Sequence, residues 1–176
     1  MSLSIWEPEV TTAHLPEARS DDFVDLFTSQ YPKLVGVLRV SGALDRAAAE
    51  DLAQEAFART LGHWHRVRHG TNPPGYVYRV AFRLLRRRGG LPESSLDDVD
   101  VASADLGTED TAVANVSAVR ALEGMPPRRR ACAALCWYLG FTSEEAADIL
   151  GIDAATVRTH LERARRAAAG TSAPLG

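Results

Sequence analysis

Apolar residues recur along this chain at three- and four-residue spacings, the period of helices packed on one face, and no stretch predicts a strand. The first block predicts a helix from near Ser20–Asp22 in which Phe23, Phe27 and Tyr31 return every four residues. Pro32 is expected to divide it from a second segment that keeps Leu34, Val35, Leu38 and Val40 apolar. Asp45 can cap a third helix, with Ala49, Ala53, Phe57, Leu61 and Trp64 on one face. The stretch from His65 to Gly75 reads as a loop. Pro74 stands at the start of a fourth helix, whose core is expected to be Val77, Val80, Ala81, Leu84 and Leu85. The pattern lapses from Gly89 to Asp110, where glycine, proline, serine and acids dominate. It resumes over Thr111–Leu122, and Pro126–Pro127 opens a further helical segment, RRRACAALCWYLG.

The last block, Thr142 to Arg166, reads as a helix-turn-helix. Thr142 and Glu145 have the spacing of a capping box, and Ala146, Ala147, Ile149 and Leu150 form the apolar face of a short helix. Gly151 sits where a glycine ends a helix, and Asp153 can cap the next one. On that second helix Val157, Leu161, Ala164 and Ala168 make the buried stripe. Ala155, Thr156, Arg158, Thr159, Glu162, Arg163 and Arg166 then fall on the open side. Small residues first and arginines later suit a helix entering a DNA major groove by its N-terminal end. A merely solvated, arginine-rich helix closing a bundle is the other reading of that face.

Charge divides the chain as the apolar pattern does. The net charge of −3 hides −2 over residues 1–20, +4 over 21–90, −7 over 91–118 and +2 over 119–176. Two basic blocks joined by an acidic linker fit a two-domain nucleic-acid binder, so the overall acidity does not argue against DNA. The expected architecture is all-α, with two small helical domains (21–90 and 119–170) joined by an acidic flexible linker (91–118). Residues 1–20 are expected to form a disordered extension and 171–176 a frayed tail. No apolar run approaches a membrane span and the start lacks a signal-peptide pattern, so membrane insertion is not expected and the cytoplasm is.

Two surfaces carry candidate chemistry. Asp51, Gln54, Glu55 and Arg59 lie away from Ala49, Ala53 and Phe57, giving the third helix a polar, mostly acidic face that a docking partner or solvent could cover. The fourth helix interleaves Tyr76, Tyr78 and Phe82 with Arg79, Arg83, Arg86, Arg87 and Arg88, a mixture that can stack unpaired bases while neutralising phosphates. Arg128, Arg129 and Arg130 begin a helix, where the macrodipole is already positive, which favours a nearby phosphate. His63, His65 and His69 lack a carboxylate or cysteine at ligand spacing and read as polar loop residues; no metal or other cofactor is expected. Cys132 and Cys136, four apart on an apolar helix, read as core thiols rather than a redox pair. No nucleophile–base constellation or phosphate-cradling glycine loop appears, so no enzyme is expected.

The third-helix sequence DLAQEAF resembles the D-x-x-Q-E-x-F motif of the sigma-70 family, and GYVYRVAFRLLRRR resembles that family's W-L-Y-R-I-A-R-N helix. MPPRRR followed by IDAATVRTHLERARR resembles its promoter-reading C-terminal domain. Their order across an acidic linker is similar to the two-domain extracytoplasmic-function (ECF) group, over roughly residues 21–170. The resemblance implies a sigma factor that positions core RNA polymerase, through its β′ clamp helices and β flap, on promoter DNA and opens the strands. Asp51, Gln54, Glu55 and Phe57 would then dock on polymerase. Tyr76, Tyr78, Arg79, Arg83, Arg86, Arg87 and Arg88 would meet the −10 element, where flipping a base costs a few kcal/mol of unstacking. Arg128, Arg129, Ala155, Thr156, Arg158, Thr159, His160, Arg163 and Arg166 would meet the −35 element. The resemblance also leaves room for an anti-sigma partner. Tyr76 stands where the family usually has tryptophan and Phe82–Arg83 where it has Arg-Asn, so −10 specificity does not carry over. TVRTHL also suits a LuxR-type regulator, though that class would carry a sensor or receiver domain upstream. The altered fourth helix keeps open a degenerate sigma-like chain that binds polymerase or an anti-sigma factor without starting transcription.

Overall fold

The structure is a computed structural model that describes residues 17–91, 122 and 124–171. Most of the expected N-terminal extension, the acidic linker, the helix at 111–122 and the tail lie outside the described residues. Within them all regular structure is helical.

Helix α1 (Glu17–Gly42) is continuous through Pro32, where a break was expected. Proline removes the N–H that would bond the Thr28 carbonyl, but Thr28 and Pro32 both face outward, so solvent can meet that carbonyl. Leu34, Val37 and Leu38 on the following turns are fully buried and anchor the second half of the helix in the core. Helix α2 (Arg46–Gly62) begins as its sequence predicts, with the Ala48 N–H donating to Asp45 Oδ1 at 2.8 Å. Its buried face is Ala49, Leu52, Ala53, Ala56, Phe57 and Thr60. Leu61, expected on that face, is exposed; Thr60 takes its place by donating its hydroxyl to the Ala56 carbonyl at 2.8 Å. One helical turn, α3 (Trp64–Val67), occupies part of the expected loop and buries Trp64 and Val67. Helix α4 (Pro73–Arg87) is capped by Asn72, whose Oδ1 accepts from the Gly75 N–H at 2.8 Å.

Helices α1, α2 and α4 pack on one another. Phe57 of α2 lies beneath the α1 aromatics, with ring centroids 6.1 Å from Phe23, 4.9 Å from Phe27 and 6.1 Å from Tyr31. Phe23 also meets Trp64 edge-on at 5.2 Å. The spacing that marked α1 as a helix thus reflects one aromatic cluster.

In the C-terminal half, α5 (Pro127–Ala133) passes into a π-helical turn over Ala134–Tyr138, in which the Leu139 N–H donates to the Ala134 carbonyl five residues back at 3.2 Å. Helices α6 (Ser143–Leu150) and α7 (Ala154–Thr171) follow and pack on each other, and α5 lies against α7. The two halves do not stand apart. Helix α4 packs on α6 and α1 on α5, and one buried cluster extends from Leu26 and Leu38 through Tyr78 and Phe82 to Ile149 and Leu161.

Candidate nucleic-acid and polymerase interfaces

The helix-turn-helix forms as its residues dictate. The Glu145 N–H donates to Thr142 Oγ1 at 3.2 Å and the Thr142 N–H to Glu145 Oε2 at 2.9 Å, closing the capping box. Gly151 takes the left-handed conformation (φ 67°, ψ 41°), and the N–H groups of Gly151 and Ile152 both donate to the Ala147 carbonyl. Val157, Leu161 and Ala164 of α7 are buried. Ala155, Arg158, Thr159, Glu162 and Arg166 are exposed on its other side, with Thr156 and Arg163 half-buried. Arg158 Nη1 reaches Glu144 Oε1 at 3.0 Å across an exposed gap, a weak tether that a phosphate or base edge can replace. His160, expected to touch DNA, is 5 % exposed and belongs to the packed side of α7. It follows Val157 by three residues and precedes Ala164 by four, which sets it on the buried stripe.

Ahead of the helix-turn-helix, Arg128 and Arg129 are half-buried and Arg130 is buried. The expected continuous basic run is therefore confined to its first two members. Burial lowers the pKa of the Arg130 guanidinium. Cys132 is fully buried and its thiol is pushed up to about 12 by desolvation first and Cys136 next. Cys136 is half-buried and also shifted upward, by burial and then by Glu144 and Glu145. The thiols are thus held neutral. Trp137 and Tyr138 are exposed on the π turn, and the Arg165 guanidinium lies 5.9 Å from the centre of the Trp137 ring.

On α4, Arg79, Arg83, Arg87 and Arg88 are exposed, and Tyr76 and Arg86 are half-buried. Tyr78 is not available to a base: it is completely buried, with Phe141 edge-on at 5.2 Å and its hydroxyl 3.4 Å from Gln30 Oε1. Burial first, and then Tyr138, raise its phenol above the ordinary range. Helical spacing explains the miss, since Tyr78 follows Gly75 and precedes Ala81, Phe82 and Leu85 on one inward row.

On α2, Asp51 and Gln54 are exposed and Glu55 is partly so. Glu55 joins Arg59 at 2.6 Å and Arg88 of α4 at 2.9 Å, so the acidic face of α2 and the basic end of α4 form one charged ridge. Phe57, expected at the docking surface, is 2 % exposed and supports it from below. Its place on the surface goes to Phe27, which stacks on Tyr31 at 4.8 Å, while Gln54 Nε2 lies 3.4 Å from the Tyr31 hydroxyl. The four-residue recurrence of Phe27 and Tyr31 was the sequence signal for this apolar neighbour of the acidic face.

A further set of contacts joins the two halves. Asn72 Nδ2 donates to Glu145 Oε1 at 2.8 Å, Arg79 Nη2 lies 3.1 Å from Asp148 Oδ2, and Arg86 Nη1 donates to the Leu150 carbonyl at 2.9 Å. Beside them is a cleft of about 440 Å³ lined by Arg66, Tyr76, Arg79, Glu145 and Asp148 among others.

Comparison with known proteins places this geometry. The profile of sigma-70 region 2 matches residues 26–89, and that of sigma-70 region 4 matches residues 116–167. The ECF RNA polymerase sigma factor SigE of Mycolicibacterium smegmatis is 32 % identical over 139 residues, 73 % of this chain and 52 % of that protein. The RNA polymerase sigma-E factor of Streptomyces coelicolor is 30 % identical over 131 residues, covering 68 % of this chain and 69 % of its own. This chain belongs to the ECF group of the sigma-70 family. It spans about half the length of the mycobacterial relative. The sigma factor RpoE of Bartonella quintana, solved in complex with the anti-sigma factor NepR, shares the fold with a TM-score of 0.60 at 22 % identity, over 85 % of this chain and 96 % of that one. Sigma factors are initiation factors rather than enzymes. Among the described residues, no helix of this sigma-family chain is long and apolar enough to cross a membrane.

Proposed function

We propose that this chain acts in the cytoplasm as a sigma factor, binding core RNA polymerase and directing it to promoters. The observation that carries this most directly is α7, with a buried Val157–Leu161–Ala164 stripe and an open face of Ala155, Arg158, Thr159 and Arg166. That face would enter the −35 major groove, with Arg163 and Thr156 at its edges and Arg128 and Arg129 on the DNA backbone. Asp51, Gln54 and Glu55, with Phe27 and Tyr31 beside them, would dock on the β′ clamp helices, and the C-terminal unit on the β flap. Tyr76, Arg79, Arg83, Arg86, Arg87 and Arg88 of α4 would meet the −10 element. The functional units are taken as residues 21–90 and 119–170, and an acidic segment of net charge −7 between them suits a basic channel of polymerase. Catalysis stays with polymerase. The Bartonella relative's anti-sigma complex supports a similar regulator here.

Run-off transcription with sigma-free core polymerase, this chain and fragmented genomic DNA from the host tests the reading. Specific transcripts are expected, lost on changing Arg158 and Arg163 to Ala. Asp51→Ala with Gln54→Ala is expected to weaken core binding without altering DNA binding. A chain that binds DNA but not core polymerase would instead be a conventional helix-turn-helix regulator.

A further inference from the structure

We propose that Arg88 is a positioning residue for polymerase docking: from the end of α4 it fixes the Glu55 carboxylate on the outer face of α2. This rests on the reading that this face docks on polymerase, and it names a residue outside α2 on which the docking depends. Both oxygens of Glu55 are committed. Oε1 accepts from Arg59 Nη2 at 2.6 Å, one turn along α2, and Oε2 accepts from Arg88 Nη2 at 2.9 Å across the packed helices. Arg59 rides on the same helix as Glu55, four residues on, so that pair alone can swing together over the helix surface. A second guanidinium, anchored on another helix, sets the plane of the carboxylate and the direction of its remaining lone pairs. With two cations against one anion, Glu55 offers a partner little net charge; what it offers is a fixed acceptor. Among the described residues Asp51 joins no ion pair, so the attractive charge of this face is that of Asp51.

The way α4 ends sets Arg88 in place. Gly89 takes the left-handed conformation (φ 76°) and its N–H donates to the Arg86 carbonyl at 2.9 Å, while the Gly90 N–H donates to the Leu85 carbonyl at 3.0 Å. A Cβ at Gly90 would strike the buried Leu85 side chain, so the two glycines let the backbone turn closely over Leu85 and bury Leu91 beyond it. The helix therefore stops at Arg88, with its guanidinium beside Glu55. A cation at that end also meets the negative pole of the α4 macrodipole, so Arg88 is well placed without a phosphate. Both partners are partly exposed, and the pair contributes little to folding. Its effect is on where the carboxylate points.

The test measures binding of the full chain, labelled at its N-terminus, to sigma-free core polymerase by fluorescence anisotropy with no DNA present. Arg88→Ala is expected to weaken core binding about fivefold, and Glu55→Gln by a similar factor. The double variant should bind no more weakly than Glu55→Gln alone, because Arg88 acts through Glu55; independent contributions would multiply to about 25-fold. The sign separates positioning from simple attraction. Removing Arg88 makes the face more acidic, so attraction of a basic partner by charge alone would tighten binding. Arg88→Lys, which keeps the cation, is expected to recover most of the lost affinity. Lys33→Gln removes the same charge beside Asn72 and Phe141, away from the ridge, and should leave core affinity unchanged. Thermal melts of all these chains are expected to coincide, which excludes loss of fold as the cause. Core binding by Arg88→Ala as tight as wild type or tighter, or a double variant weakened by the product of the two factors, would overturn the proposal. A wild-type chain that fails to bind core polymerase sinks the docking reading itself, a result distinct from an unchanged Arg88→Ala.

Discussion

Gly151→Ala probes a residue that serves both the turn and the contact between α4 and α6. Gly151 has φ 67°, and a Cβ there would lie 2.7 Å from Arg86 Nη1. The left-handed conformation costs an alanine about 1 kcal/mol. The methyl would also push the Arg86 guanidinium off the Leu150 carbonyl, which it now reaches at 2.9 Å. A charged hydrogen bond contributes about 1.5–3 kcal/mol, discounted here to about 1 because Arg86 is half-exposed. The substitution should therefore cost about 2 kcal/mol in the wild-type background and about 1 in an Arg86→Ala background, a coupling of about 1 kcal/mol. Urea unfolding of the four proteins of the cycle measures this, followed by circular dichroism and tryptophan fluorescence, since Trp64 and Trp137 report from opposite halves. Equal costs in the two backgrounds would show that Arg86 does not occupy that space, and the description of the α4–α6 contact would be wrong.

Phe57→Ala should destabilise the N-terminal unit by about 3–5 kcal/mol, because it empties the floor of the aromatic cluster, whereas exposed Leu61→Ala should cost under about 0.5; thermal melts separate the two. Thr142→Ala removes an acceptor from the Glu145 N–H and should cost about 1 kcal/mol, read as a lower urea midpoint with unchanged slope. Cys132 sets an alkaline limit. Its folded thiol is held up to about 12, against an ordinary 9.0, so above about pH 9 the unfolded chain has lost a proton that the folded chain keeps. Stability contributed by this thiol is then full below pH 9 and falls as pH rises towards 12, and Cys132→Ala should flatten the fall in urea midpoint. In native protein, a thiol reagent should label Cys136 well before Cys132, with both reacting rapidly after denaturation.

What could be read along the chain was what is decided within a few residues. Asp45, Thr142–Glu145 and Gly151 act on their own helix ends, and each cap or turn forms where its residue type places it. The α7 stripe was legible for the same reason, since one buried row fixes the opposite face. The errors arose where a distant element chose between two readings. Pro32 reads locally as a breaker, yet burial of Leu34, Val37 and Leu38 keeps α1 continuous past it. Tyr78 and His160 carry polar groups that suggest contact with a ligand, but the rows they sit on are the rows their helices bury. Phe57 carries a family-like docking position and spends it on the aromatic cluster instead. The contact of α4 with α6 had no local signal at all. Arg79 and Asp148 are separated by most of the second half of the chain, and each alone reads as an exposed charge on an amphipathic helix. Sequence spacing thus located the exposed faces of α4 and α7, while packing between the halves determines which of their side chains are covered. For this chain those are separate questions: Arg158, Thr159 and Arg166 of α7 are exposed, whereas Tyr78 of α4 is buried and Arg79 and Arg86 are engaged by α6.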